Sequence, residues 1–204
     1  MGALLKEIEE RRSIRKFKNC PVDRQDILDI LESGCRAPSS KNRQPWKFIV
    51  VEGEAKAGML AAFQRGIDRE AAGGDQALLP LSREHLDGAR HTLSIMEQAP
   101  VTVFIFHTLG NDIFGERTKE EIVAEICNLQ SVSAAIQNMT LEAVHKGLGS
   151  LWICDIFFAY QELSDWLQAE GELIAALSIG YPDEAPSARS RKAAEAVTIW
   201  RERK

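Results

Sequence analysis

The sequence predicts an α+β fold in one domain over residues 1 to 204, and three observations predict it. Four apolar runs of strand length stand at 46–51, 101–106, 148–153 and 173–179. Stretches with apolar residues at helical spacing lie between them. The length suits one core, since a domain of this size buries roughly 70–75% of the surface its unfolded chain exposes.

Leu4, Leu5 and Ile8 recur at helical spacing, so the basic cluster from Arg11 marks the end of a first amphipathic helix, where cations suit the helix dipole. Pro21-Val22-Asp23 before Ile27, Ile30 and Leu31 predicts a helix capped at Asp23 and ending near Gly34. A polar loop between prolines, Pro38 to Trp46, leads into a buried strand, Trp46 to Val51. Residues from Glu54 to Arg65 are alanine-rich and helical in pattern, broken by Gly73-Gly74. Ser82 to Gln98 carries Leu86, Ala89, Leu93 and Met96 on one helical face, and Val101 to Phe106 is a second buried strand.

Beyond the polar loop Gly110-Asn111-Asp112, Thr118 and Glu121 form a capping box. It opens a helix whose apolar face runs from Ile122 to Ala143 and ends at Gly147. At 1.5 Å per residue this helix is about 40 Å long, which suits a central spine or, preferably, a dimer interface. Leu148 to Ile153 is a short strand, Gln161 to Ala169 a short helix with Leu163, Trp166 and Leu167 inward, and Leu173 to Ile179 another strand. The tail from Tyr181 ends in the strand-like Ala196 to Trp200, expected to pair with a sheet edge, that of a second subunit included.

Composition is that of a globular protein, with 45% hydrophobic and 27% charged residues. No apolar run approaches the roughly 20 residues of a membrane span, and the N-terminus has acids too early for a signal peptide, so a cytoplasmic protein is expected. Cys20, Cys35, Cys127 and Cys154 are too widely spaced for a zinc or iron–sulfur site, and are expected as reduced, mostly buried thiols. His85, His91, His107 and His145 include no i, i+4 pair for a metal, so no metal is expected.

Two features carry chemistry. The Pro38 loop holds Ser39, Ser40, Asn42 and Gln44, many donors and acceptors on a backbone restrained by proline, which suits a flat ligand with polar edges. Arg11 to Lys18 holds five basic residues in eight and no acid, within a chain of formal net charge −5. With the second cluster at Arg189 and Arg191 it supplies the fixed cations an anion such as phosphate needs. A solvated surface patch is the bland alternative on charge alone. The overall negative charge and the lack of a recognisable binding motif argue against nucleic acid.

These motifs together resemble the FMN-dependent nitroreductase family. The resemblance rests on Arg11 to Phe17 and Ala37 to Phe48, then Ala134-Ala135-Ile136-Gln137-Asn138-Met139, Gly147 to Ile153, Ile179-Gly180-Tyr181-Pro182 and Arg189 to Lys192, in that order along nearly the whole chain. It implies a three-layer sandwich with a central mixed, mainly antiparallel sheet flanked by helices, in an intertwined homodimer with C-terminal strand exchange. It implies that Arg11, Arg12, Ser13 and Arg15 hold the FMN phosphate, ribityl chain and pyrimidine edge, with Arg189 and Arg191 closing on the phosphate. Pro38, Ser39, Ser40 and Asn42 would reach the partner's flavin. Trp152, Ile153, Cys154 and Asp155 match the segment whose backbone lies over the flavin and donates to N5.

The chemistry so implied is ping-pong hydride transfer from NADH or NADPH through the flavin to a nitroaromatic, a quinone or a similar small electron-poor acceptor. No side chain is expected as an acid–base catalyst. Arg15 would favour reduction by stabilising the negative charge near N1 and O2. Cys154 and Asp155 stand where many relatives have glycine or glutamate, and Ser131 where aspartate is common. Cys154 could tune the flavin, but a small buried packing residue is the preferred reading. Trp46 is read as core, the 108–117 loop as a lid, and Phe114 as a substrate contact. Reductive dehalogenation of iodotyrosine, flavin cleavage to dimethylbenzimidazole, dehydrogenation of peptide-derived rings and flavin binding without turnover are the alternatives on the same scaffold.

Overall fold

The computed structural model describes residues 4–110 and 113–202. Its centre is a four-stranded sheet in the order β1-β2-β4-β3, formed by β1 (Trp46–Glu52), β2 (Val101–His107), β3 (Gly149–Ile153) and β4 (Glu172–Gly180). All three pairings are antiparallel, with Phe48 opposite Ile105 and Thr102 opposite Ser178. Among the described residues, the parallel component is one isolated bridge, Ser13 to Ser150, at the β3 edge.

β2 is buried along its whole length, and its alternation makes two cores. Phe104 and Phe106 face Met59, Phe63, Ile67 and Met96 of α3 (Ala55–Ala72) and α4 (Leu86–Gln98), with Leu163 of α6 (Tyr160–Leu167). Val103 and Ile105 face Ile30 of α2 (Arg24–Cys35) and Val132, Ile136 and Met139 of α5 (Lys119–His145). Helix, sheet and helix therefore form three layers. Burying a Phe, Ile or Met side chain stabilises by roughly 1.5–3 kcal/mol, so the two faces of β2 anchor the molecule.

Local signals place the elements much as the pattern predicts. Asp23 caps α2 by accepting from the Gln25 N–H at 2.7 Å. Thr118 and Glu121 make the reciprocal capping box of α5. α3 ends at Gly73, whose φ of 72° suits glycine. α5 lies along α2, tied by Asn138 Nδ2 donating to the Ser33 carbonyl at 3.1 Å and by Lys146 between Asp26 and Asp29.

Four expectations need correction. β1 is an edge strand in which only Val51 is buried, because nothing pairs on its far side among the described residues. The helix expected from Ser82 starts at Leu86, after 3-10 turns over Pro80–His85 that leave Leu81 exposed. The strand-like Ala196 to Trp200 is not a strand: α7 (Ala194–Val197) is one helical turn, after which Ile199 and Trp200 stand exposed, Trp200 by 80%. None of the cysteines is buried, since Cys35 and Cys154 are exposed and Cys20 and Cys127 half-buried, although all are free thiols as expected.

The first helix, α1 (Lys6–Glu10), buries no residue, and its Ile8 is exposed, as are Leu4 and Leu5 just before it. α5 is likewise divided. Its C-terminal half is core, whereas Ile122, Val123 and Ile126 near its start are exposed, Val123 by 61%. Among the described residues, no helix is long and apolar enough to cross a membrane.

Candidate active site

The basic segment crosses the β3 edge on a ladder of main-chain bonds. Ile14 N–H donates to the Ser150 carbonyl at 3.0 Å, Lys18 N–H to Tyr181 at 2.9 Å and Asp183 N–H to Lys16 at 2.9 Å. Glu184 accepts from the Arg15 and Lys16 N–H groups. This pairing joins the N-terminal basic segment to the chain leaving β4, so clusters far apart in sequence meet. Arg11, Arg12, Ser13 and Arg15 line one cleft of about 490 Å³ with Arg189 and Arg191, together with Gln137 of α5.

The arginines are held unevenly. Arg12 Nη1 donates to the carbonyls of Glu9 and Arg11 at 2.6 and 2.8 Å, while its buried Nε has no partner among the described residues. Arg15 Nη1 donates to the Ser13 carbonyl at 3.3 Å. Arg191 Nη1 reaches only carbonyls of its own tail, Ser190 at 3.1 Å and Arg189 at 3.4 Å. No carboxylate hydrogen-bonds to any of these guanidinium groups among the described residues, so their charge is available to an anion.

Arg15 also borders a second groove of about 390 Å³, with Trp152, Ile153, Cys154 and Asp155 at the end of β3 and Gly88, His91 and Thr92 on α4. Thr92 Oγ1 donates to the Asp155 carboxylate, pinning the turn after β3 to α4. Trp152 is 37% exposed on this edge strand. Cys154 is exposed rather than the packing residue expected, because the chain turns outward after β3. Desolvation by its surroundings and the charge of Asp155 raise its pKa, so the thiol stays protonated at neutral pH.

The Pro38 loop lies apart from both. Pro38, Ser39 and Ser40 line a recess of about 290 Å³ against Cys127, Gln130, Ser131 and Ala134 of α5, and none of the arginines joins them. The loop is fixed by Ser40 N–H donating to Ser131 Oγ at 3.1 Å, Ser131 Oγ donating to the Cys127 carbonyl at 2.8 Å, and Gln44 N–H donating to Ser39 Oγ at 3.0 Å. Lys41, Asn42 and Gln44 have φ values of 54°, 53° and 49°, in the left-handed region, with Arg43 between them at −71°.

One chain therefore unites Arg11, Arg12, Ser13, Arg15, Arg189 and Arg191, connects Arg15 to residues 152–155, and leaves Pro38, Ser39, Ser40 and Asn42 elsewhere. Phe114 lines none of these three clefts. It packs edge-on against Tyr160, ring centroids 5.3 Å apart. Asn111 and Asp112 of the expected lid lie outside the described residues. Trp46 is half-buried against the α2–α5 core, as a core residue at a strand start.

Sequence reasoning missed Thr92, His91 and Glu184. Thr92 and His91 sit on a helix whose apolar face was the only signal read, and Glu184 acts through main-chain N–H groups, which leave no residue-type signature.

Residues 8–181 match the model of the nitroreductase family. The YfhC protein of Bacillus subtilis, to which an NAD(P)H nitroreductase activity is ascribed, is 32% identical over 90% of this chain and 87% of its own. The 5,6-dimethylbenzimidazole synthase of Rhodospirillum rubrum is 29% identical over 85% and 79%. Among solved structures, a protein of Desulfovibrio desulfuricans crystallised in complex with FMN is 26% identical, with a TM-score of 0.66 over 97% of this chain and 96% of that one. A family model matched from Ile8 to Tyr181 embraces the whole sheet and both helix layers: the chain belongs to the nitroreductase family.

Proposed function

We propose that the chain, acting over its whole length as one FMN-binding domain, is an oxidoreductase that uses NADH or NADPH to reduce nitroaromatics, quinones or similar electron-poor acceptors. The observation that carries this reading is the meeting of five arginines from the two ends of the chain in one cleft, where the buried Arg12 Nε lacks a partner among the described residues. That donor set fits a phosphorylated cofactor, because an unpaired buried guanidinium nitrogen costs free energy that an anionic oxygen recovers. Bound there, FMN supplies a carrier that takes hydride from the nicotinamide and delivers it to the acceptor.

The chain's own part is binding and orientation. Arg11, Arg12, Ser13, Arg189 and Arg191 hold the phosphate and ribityl chain. Arg15, shared by the arginine cleft and the β3 groove, holds the pyrimidine edge and stabilises negative charge there. The main chain of Trp152, Ile153, Cys154 and Asp155 borders the ring system, with Thr92 holding Asp155 in place. No acid–base side chain is required of this site. Donor and acceptor use the same open groove in turn, which is ping-pong order.

A second copy completes the site. Pro38, Ser39, Ser40 and Asn42 do not line the arginine cleft of their own chain, and the exposed Ile8 of α1, Ile122 and Ile126 of α5, and Ile199 and Trp200 of the tail need a cover. A homodimer in which the tail from Ile199 pairs with the partner and the Pro38 loop reaches the partner's flavin accounts for both. The setting is cytoplasmic, without a membrane or nucleic-acid partner. Purified protein saturated with FMN should oxidise NADH or NADPH in the presence of a quinone or a nitroarene. Turnover of neither nicotinamide with any such acceptor would refute the proposal.

A further inference from the structure

The Pro38 loop also walls a second groove, of about 410 Å³, lined by Ser40, Lys41 and Arg43 from the loop and by Lys119, Glu120, Val123, Ala124 and Cys127 from the start of α5. Its floor is apolar, from Val123, Ala124 and Cys127. Its rim carries three cations, and Glu120 is the one acid among the described residues lining it. Lys41, in the left-handed region, is exposed. Ser40 and Cys127 line both this groove and the Ser131 recess, so the two adjoin. An excess of two positive charges beside an apolar floor, in a chain of net charge −5, is a local field of the wrong sign for the rest of the molecule.

We infer that this groove selects the hydride donor: Lys41, Arg43 and Lys119 receive the 2′-phosphate of NADPH, whose adenine lies over Val123, Ala124 and Cys127, and the enzyme prefers NADPH to NADH. The inference rests on the proposed function, in which the Pro38 loop borders the partner's flavin and a donor stacked there must extend past the loop. The 2′-phosphate is the only group by which the two donors differ, and near neutral pH it carries roughly −1.5 to −2 charges. Exposed cations around a dianion give modest, salt-sensitive attraction rather than tight capture. An apolar floor under a cationic rim fits an adenosine phosphate better than a small inorganic anion.

Two readouts on the FMN-loaded protein test this. The ratio of kcat/KM for NADPH to that for NADH should be about tenfold at low salt, which corresponds to about 1.4 kcal/mol. It should shrink toward one in about 0.5 M salt, where the screening length falls to a few ångströms, and in the Arg43→Gln, Lys119→Gln double variant. By calorimetry, 2′,5′-ADP should bind more tightly than 5′-AMP, and the double variant should lose that difference. Both substitutions lie on exposed side chains, so an unchanged melting temperature shows that folding is not the cause. Equal use of the two nucleotides, a ratio the double variant preserves, or an effect of the variant confined to carboxylated nitroarenes would overturn the assignment. If neither nucleotide is oxidised, the proposed function falls, and the calorimetric comparison still decides whether this groove recognises the 2′-phosphate.

Discussion

Gly66 lies in the middle of α3 where the helix meets the turn that follows β3. A Cβ built there would stand 2.2 Å from the Ala159 Cβ, 2.3 Å from the Ala159 Cα and 2.8 Å from the Phe158 carbonyl. Ordinary contact begins near 3.5 Å, so Gly66→Ala must drive α3 and the 155–159 turn apart by about 1 Å. Both partners are main chain and cannot rotate away. Overpacking of this kind costs about 1–3 kcal/mol, and the gain in helix propensity returns about 0.5–1 kcal/mol. The clash is severe enough to take the upper part of the first range, for a net loss of about 2 kcal/mol. In a chain of this length, that lowers the melting temperature by roughly 4–8 °C. Gly88→Ala is the matched control. It is also helical, no atom lies within 4 Å of its added Cβ, and its melting temperature should rise by about 1–3 °C. Scanning calorimetry reads both. A Gly66→Ala protein as stable as the parent would refute the close packing of α3 on the turn that carries Asp155.

Three further outcomes are expected. His107 is fully buried at the end of β2, its Nδ1 3.5 Å from Glu125 Oε2 and its ring facing Glu172 and Arg117; burial lowers its pKa, against the pull of the two glutamates. A histidine held neutral contributes stability that is present above its unfolded pKa of about 6.5 and lost as pH falls below it toward the folded value. The melting temperature should therefore decline from about pH 6.5 downward, before the carboxylates Asp29 and Glu121 titrate, and His107→Phe should flatten that limb; an identical limb in the variant would remove His107 from the account. Cys154→Ser should leave the flavin potential within about 10 mV, because the raised pKa keeps the thiol neutral; a larger shift, measured by dye equilibration, would give the thiol an electronic role. Asn42→Ala should weaken FMN binding about tenfold in fluorescence titration, one charge-neutral hydrogen bond and its geometry being worth roughly 1.4 kcal/mol, and unchanged affinity would take the Pro38 loop out of the site.

Much of this fold was legible because its signals are local. Asp23, Thr118 with Glu121 and Gly73 each act within four residues, and their caps stand where the pattern puts them. β2 and β4 are buried almost throughout and mainly apolar because both faces are covered. β1 has similar composition yet sits at an edge, and no residue type announces that nothing pairs beyond it. The tail misled for a related reason. Val197, Thr198, Ile199 and Trp200 have strand propensity, but propensity becomes a strand only when the segment reaches an edge, and among the described residues this one pairs with none. In the site, the arginines were legible as charge, while their convergence depends on main-chain bonds between residues 14–18 and 150–183 that carry no side-chain code. Thr92 was invisible because its partner, Asp155, is distant in sequence.

The central claim is that arginines of one chain and the Pro38 loop of another build a single flavin site. Subunit mixing tests it most directly. One subunit carries Arg12→Ala with Arg189→Ala, its partner carries Ser39→Ala with Asn42→Ala, and the heterodimer is purified through two different tags. Each homodimer should bind FMN weakly at both sites, whereas the heterodimer should recover one tight site, formed by intact arginines from one chain and an intact loop from the other. A heterodimer with no tight site, in a protein whose unmutated dimer binds FMN, would contradict the shared site and put the loop back with the arginines of its own chain.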